Sequence, residues 1–400
     1  MADAIKETRV KNTGLRGVTV ADTKVSYIDG EKGILIYRGY RIEDLAANAS
    51  FEEVAHLLLH GSLPDKGRLA DFTAQFVSAR TMPDYIFESM KHWPKDADPM
   101  DVLQASVPLL AMVDPDLRGD SREANARMAV RLISRIPVVM AAWERIRNGR
   151  GVVAPDAALS HAANFLWMLH GEKPMEEVAR GLDICLTLHA DHTFNASTFA
   201  CREVVSTRAH MYAGVAAGVG ALSGSLHGGA NARVMKMLFE VEAEIRNSES
   251  VESWVNKHID DGERIMGMGH AVYKTVDPRA RLLKPMSKDL GEKTGHAIWY
   301  EILSNIEETA NKAFEARGRE TIKTNVDFYS GSVYHMMGIP VDLMTPVFAI
   351  SRIAGWCSHI IEEKFAEAQE KPALYRPQAE YVGDYCGAMG CEYKPLDARD

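Results

Sequence analysis

No run of about 18 apolar residues occurs in this chain of 400 residues, so no segment reads as a membrane-spanning helix. Cysteine is scarce. Cys185, Cys201, Cys357, Cys386 and Cys391 include no pair of CxxC motifs and are too few to staple a chain this long. The tail DYCGAMGCEY brings Cys386 near Cys391, as a local disulfide or a zinc half-site would need. Structural zinc takes four ligands and no companion cluster stands out, so ordinary reduced thiols are expected and no metal is assigned. Positive charge is in deficit: 46 Lys and Arg against 55 Asp and Glu leave a net charge of −9, which argues against a general nucleic-acid binder. An anionic substrate must therefore be met by a local basic pocket. Internal repeats, low-complexity tracts and Pro/Ser-rich linkers are also missing, so composition marks no domain boundary. The opening MADAIKETRVKNTG lacks the apolar core of a signal peptide, and its acidic residues do not suit an organellar presequence. Cytoplasmic residence is the expectation.

What is present is a mostly helical pattern with 46% hydrophobic residues, enough for a substantial core in one large domain or two unequal ones. Val18–Val20, Lys24–Tyr27 and Ile34–Tyr37 alternate around the Asp29-Gly30 turn signal and predict short N-terminal β-hairpins. Beyond Arg41 the periodicity becomes helical. Ser50 with Glu53 reads as a capping box, and Pro174 as a first-turn proline before MEEVARGLDICLTLHA. Long helices are predicted over Ala124–Asn148, Ala297–Arg317 and Pro346–Ala368. Gly214 and Gly218, among alanines, suit close helix packing rather than phosphate binding.

Three glycine-flanked stretches carry proton-handling side chains: SLHGGAN around His227, GMGHAVYKTVDPR around His270 and NVDFYSG around Asp327. Small neighbours let backbone and ligand approach closely. Two imidazoles and a carboxylate, with Arg279 shortly after His270, suit removal of a carbon-bound proton and stabilisation of the resulting oxyanion beside an anionic substrate. GMGHAV lacks the third glycine of a dinucleotide fingerprint, no GK[ST] completes a P-loop and no GxSxG marks a serine hydrolase. Taken singly, each stretch has a plainer reading: His227 as the cap of a glycine-rich turn, with its ring kept neutral by the helix that follows, and Asp327 as a turn residue. Val326 and Phe328 would desolvate Asp327 and raise its pKa. Phe348 and Trp356, four residues either side of Arg352, put that guanidinium on an apolar helix face, where it needs an anion or must snorkel to water. His189 and His192 in LHADH stand three apart at a predicted helix end; without HExxH or an adjacent carboxylate cluster they are not assigned as metal ligands.

The three stretches, in this order, resemble the citrate synthase family. GLRGVTVADTKVSYIDGEKGILIYRGYRIEDLA, LTLHADHTFNAST, TPVFAISRIAGW and YRPQAEYVG extend the resemblance over most of the chain. The resemblance implies a mainly α, two-domain fold in which a small domain, 228–332, is inserted between large-domain segments 1–227 and 333–400. It implies condensation of acetyl-CoA with oxaloacetate, then hydrolysis of the citryl thioester, with CoA as substrate and product and no tightly bound cofactor. In that scheme Asp327 takes the methyl proton, His227 stabilises the enolate and His270 donates to the oxaloacetate carbonyl. His192, Arg279, Arg352 and Arg376 bind substrate, and His189 supports them. The backbone of Ile265, Met266, Gly267 and Gly269 lies along the CoA adenine. Arg376 serves the neighbouring subunit, implying a homodimer whose cleft closes on oxaloacetate before acyl-CoA binds. A 2-methylcitrate synthase using propionyl-CoA is the nearest alternative, although NVDFYSG leans toward acetyl-CoA; a noncatalytic helical scaffold would leave the acid, base and arginine set unexplained.

Overall fold

The computed structural model describes residues 10–11, 14–246, 250–383, 387 and 389–399. Among them are sixteen α-helices and one small antiparallel sheet, the mainly α architecture expected. The sheet joins Ser26–Asp29, Ile34–Tyr37 and Tyr40–Arg41 in sequence order, with Ser26 opposite Tyr37 and Ile36 opposite Arg41. The predicted strand over Val18–Val20 does not form: that segment has no ladder partner and stays irregular.

The helix Met344–Lys364 runs through the core with nearly every residue buried. It packs against helices Phe51–His60, Arg122–Arg147, Glu176–His189, Ala196–Ser206 and Met211–Ser223. One contact shows why small residues recur in MYAGVAAGVGALS: a Cβ on Gly218 would lie 2.5 Å from Cys201 Sγ and 3.2 Å from the Trp356 ring. Gly218 thus serves helix packing, as expected. A second set of helices, Ala230–Arg246, Val251–Asp260, Pro278–Thr294, Ile298–Ala316 and Val326–Met336, packs largely on itself. The cavity described below lies where residues from the two sets meet.

Local signals set the helix starts. Ser50 and Glu53 form the predicted reciprocal capping box of Phe51–His60. Pro174, by contrast, precedes the cap rather than entering the first turn, because Met175 is the N-cap of Glu176–His189. That helix ends at His189, so His192 lies beyond it and the two imidazoles do not share a helical face. The Met344–Lys364 helix starts two residues before the predicted Pro346 and stops four before Ala368. It stops because Ala366 turns into the left-handed region at φ +52°, while Arg122 Nε and Lys24 Nζ hold Glu367 at 2.6 Å each. From there the chain continues as a non-helical arm through 383. Farther along, Cys391 is disulfide-bonded, against the expectation of an ordinary thiol; Cys386 lies outside the described residues. Cys185, Cys201 and Cys357 are buried free thiols. None of the described helices is long and apolar enough to cross a membrane.

The loop through Gly267 and Gly269 is clamped to the segment 323–325. Gly269 N donates to Lys323 O at 2.7 Å, Asn325 N to Gly267 O at 2.9 Å, and Met268 bridges Thr324. Gly267 has φ +80°, and a Cβ there would meet Phe328 Cα at 2.7 Å. A Gly267→Ala chain should therefore lose on the order of 1–3 kcal/mol of stability, the cost of one strained or displaced backbone site. Its kcat should fall at least about tenfold as the His270 loop moves off the Asp327 helix. Wild-type melting and turnover would show that the close approach does not matter.

Candidate active site

A cavity of about 550 Å³ is lined by His192, His227, His270, Arg279, Asp327 and Arg352, together with Arg16, Phe194, Asn195, Asn231, Asn325, Thr345 and Phe348. Six of the predicted site residues thus converge from positions 192 to 352 of the chain. Gly269 also lines the cavity, whereas Ile265, Met266 and Gly267 do not. Arg376 is exposed on the C-terminal arm and is not part of this wall.

The imidazoles are held in opposite tautomers. His270 Nδ1 accepts the main-chain N–H groups of Val272 at 3.0 Å and Tyr273 at 3.1 Å, so its proton is on Nε2. His227 Nε2 accepts the Ser197 N–H at 3.2 Å, which leaves the proton on Nδ1. Ser197 Oγ lies 2.8 Å from the same nitrogen, accepts from Trp356 Nε1 at 3.2 Å and lies 2.7 Å from Asn195 Oδ1. Each ring therefore has one nitrogen occupied by backbone and one N–H to offer. Burial, with Arg352 adding repulsion, lowers the His227 pKa to about 4. Burial and then Arg279 do the same for His270, also to about 4. The neutral His227 expected from the helix behind it is found, but desolvation is the main cause.

Asp327 stands in the first turn of Val326–Met336, capped by Asn325, whose Oδ1 accepts the Asp327 N–H at 2.9 Å. The Asn325 Nδ2 donates to Gly269 O at 2.8 Å, so one side chain joins the Asp327 helix to the His270 loop. Desolvation raises Asp327 to about 6, against the pull of Arg279. The carboxylate is still charged near neutrality but is a stronger base than an exposed aspartate.

The arginines differ in how they are held. Arg279 forms a buried two-point ion pair with Asp277, Nε to Oδ1 at 3.0 Å and Nη2 to Oδ2 at 2.7 Å. Burial works against its charge, but Asp277 more than offsets this and its pKa is raised. Arg352 is 1% exposed, so it does not snorkel. Its Nε donates to the His189 carbonyl at 2.7 Å and its guanidinium stacks over Phe348 at 4.6 Å, while no carboxylate among the described residues pairs with it. Burial accordingly lowers it to about 10, and it stays cationic. His189 supports Arg352 through its main chain; its own ring bonds Cys185 O, packs edge-on against Phe348 at 4.9 Å and does not itself line the cavity. His192 Nε2 lies 3.3 Å from Tyr273 Oη and its ring meets His270 edge-on at 5.3 Å. Burial and then Arg279 hold its pKa well below the usual range. Asp327 is the one acidic residue in a wall that also contains three arginines, so the cavity suits an anionic ligand.

Sequence reasoning missed Ser197, Asn325, Asn231 and Arg16. Asn325 had a signal, an Asn just before a helical pattern. Ser197 had none, because its essential contribution is a main-chain N–H.

Against this geometry, the family model "Citrate synthase, C-terminal domain" matches residues 14–378. The chain belongs to the citrate synthase family. It is 43% identical to the citrate synthase of Haloferax volcanii over 96% of this chain and 98% of that protein. The citrate synthase of Pyrobaculum aerophilum superposes with a TM-score of 0.88 at 35% identity, covering 98% of this chain and all of that one. The Thermoplasma acidophilum citrate synthase, solved as a ternary complex with carboxymethyl coenzyme A and oxaloacetate, gives a TM-score of 0.86 at 33% identity over 96% and 99% of the two chains. A 2-methylcitrate synthase of Corynebacterium glutamicum is 35% identical over 93% of this chain and 94% of that protein.

The three shifted groups make the acid side of the pH profile specific. Between about pH 7 and pH 5 Asp327 protonates while both imidazoles remain neutral, so kcat/KM should fall as pH drops through about 6. The folded pKa lies above the unfolded value of about 3.9, so the Asp327 charge costs stability above about pH 6 and the cost vanishes toward pH 4. Asp327→Asn should thus melt no lower than wild type at about pH 8, with any advantage shrinking on acidification. A profile flat down to about pH 4.5 would remove Asp327 as the titrating base.

Proposed function

We propose that this chain is a citrate synthase, condensing acetyl-CoA with oxaloacetate and hydrolysing the citryl-CoA formed. The observation that carries the reading is one cavity holding a raised carboxylate, two neutral imidazoles of fixed and opposite tautomer, and a cationic surplus. Asp327 removes a methyl proton from acetyl-CoA. His227 Nδ1–H hydrogen-bonds the thioester oxygen, where the negative charge of the enolate collects. The enolate carbon attacks the oxaloacetate carbonyl, and His270 Nε2–H donates to the oxygen that becomes the alcohol. A carboxylate near 6 is far too weak to deprotonate a thioester methyl unaided, so alignment and the His227 hydrogen bond must lower the energy of the enolate.

Arg352, Arg279 and His192 hold oxaloacetate, and Arg376 of a second copy completes the carboxylate set in a homodimer. Arginine suits the task because its planar fork binds carboxylate at two points. Arg279, His270 and Asp327 belong to the 228–332 small domain, whereas His192, His227 and Arg352 belong to the segments on either side. Oxaloacetate bridging Arg279 and Arg352 would draw the two domains together, order the site for acyl-CoA and shield the thioester from early hydrolysis. CoA is substrate and product, with the backbone at Ile265, Met266, Gly267 and Gly269 along its adenine; part of that backbone already bonds 323–325, which stiffens the loop. The reaction is an acyl transfer that turns the acyl group into an alkyl group, the entry step of the tricarboxylic acid cycle, and we place it in the cytoplasm. The likeness to a 2-methylcitrate synthase supports propionyl-CoA as the second reading, to be settled by comparing thiol release from the two acyl-CoAs.

Asp327→Asn should lower condensation at least about 100-fold with the fold intact, the lower range for a positioned acid or base. Mixing that dimer with an Arg376→Ala dimer, and letting subunits exchange, should restore activity. One site in each heterodimer then has both an intact Asp327 and an intact Arg376. Verified exchange without recovered activity would end the shared-site reading.

A further inference from the structure

The largest set of buried charges that the chemistry does not use connects the turn carrying His192 to the C-terminal arm. Asp191, Arg202, His359, Glu362 and Glu363 are each no more than 1% exposed. Arg202 binds both glutamates, Nη1 to Glu362 Oε2 at 2.6 Å and Nη2 to Glu363 Oε2 at 2.7 Å, and stacks on Phe194 at 4.5 Å. Its Nη1 also lies 3.1 Å from His359 Nδ1, which turns the other ring nitrogen of His359 toward Asp191 at 3.3 Å. Two carboxylates thus share one guanidinium while Asp191 is met through His359, and each carboxylate needs further donors.

One of those donors comes from the arm. Tyr375 Oη donates to Glu363 Oε2 at 3.0 Å, its main-chain N–H donates to Ser206 Oγ at 3.3 Å, and its ring packs edge-on against Phe199 at 5.5 Å. Phe199 in turn contacts Phe194, a wall residue of the cavity. The very next residue, Arg376, is exposed and takes no hydrogen bond or ion pair among the described residues. A fully anchored residue therefore stands directly before an unengaged guanidinium.

We propose that Tyr375 is a positioning residue for Arg376: its hydroxyl, tied to the buried Glu363–Arg202 pair, fixes the arm directly before Arg376 so that Arg376 reaches a carboxylate of oxaloacetate in the neighbouring copy. The inference rests on the reading of Arg376 given above. An arm ordered in advance spares binding the entropy of ordering it, so the benefit appears in oxaloacetate affinity more than in the chemical step. The anchor is a charge-assisted hydrogen bond to a desolvated carboxylate, stronger than a neutral one.

Tyr375→Phe removes only the hydroxyl. Calorimetric titration of the full chain with oxaloacetate, without acyl-CoA, should show affinity roughly tenfold weaker. KM for oxaloacetate should rise by more than kcat falls, a split that general loosening of the fold would not produce. In an Arg376→Ala background the same change should add nothing, because the group that it positions is gone. If Arg376→Ala alone leaves oxaloacetate binding intact, the Arg376 reading falls and this one with it. If Arg376→Ala weakens binding while Tyr375→Phe does not, or if the two losses add in full, the positioning role alone is overturned.

Discussion

Asn325 is the constraint on which the reactive geometry depends. Four hydrogen bonds meet at this residue: Oδ1 caps the helix that begins with Val326 and Asp327, the carbonyl accepts the Phe328 N–H of the same turn, Nδ2 holds the Gly269 carbonyl, and the main-chain N–H holds the Gly267 carbonyl. Asp327 and the His270 Nε2–H are far apart in sequence, one on the helix Val326–Met336 and one on a loop. Without a cross-link their separation would follow the fluctuation of the loop against the helix, and a displacement of about 1 Å is enough to cost orders of magnitude in rate. Glycine at 267 lets the tie form, because Phe328 occupies the space that a side chain would need.

Desolvation supplies the second requirement, and it acts in opposite directions on the carboxyl group and the imidazoles. It pushes Asp327 up to about 6 and the His227 and His270 imidazoles down to about 4, so at neutral pH the site has a charged carboxylate beside uncharged N–H groups. The protein tolerates a buried, carboxylate-free Arg352 because its Nε has a carbonyl partner and its flat face lies on Phe348. That arrangement leaves electrostatic potential for a substrate to neutralise. Arg279 makes the contrast clear. Its charge is already matched by Asp277, so its contribution is a rigid, pre-aimed fork rather than net attraction.

Much of this was legible in the chain, for identifiable reasons. The Ser50–Glu53 capping box depends only on neighbours three apart, and it is present as read. The clustering of His227, His270, Asp327, Arg279 and Arg352 followed from motifs whose order resembles the citrate synthase family. Periodicity alone would not have joined them. Features set by distant partners were not legible. Val18–Val20 has strand-forming residues but no strand to pair with, and the last long helix ends where Arg122 and Lys24 seize Glu367, far from it in sequence. The His227 tautomer depends on a main-chain N–H, which any residue at 197 other than proline would provide.

The identity of the acyl group belongs to a different class of question. The groups that move protons and neutralise carboxylates are polar, directional and the same for acetyl and propionyl thioesters. A wrong choice among them would abolish either reaction. Discrimination between the two acyl chains needs only an apolar wall placed to admit or refuse one methylene, worth about 1–3 kcal/mol. In this cavity such a wall is made of residues like Leu222 and Phe348, which also pack the core and would be apolar in any case. Chemistry is therefore written in residues that have no other reason to be there, while acyl preference is written in residues that have every other reason.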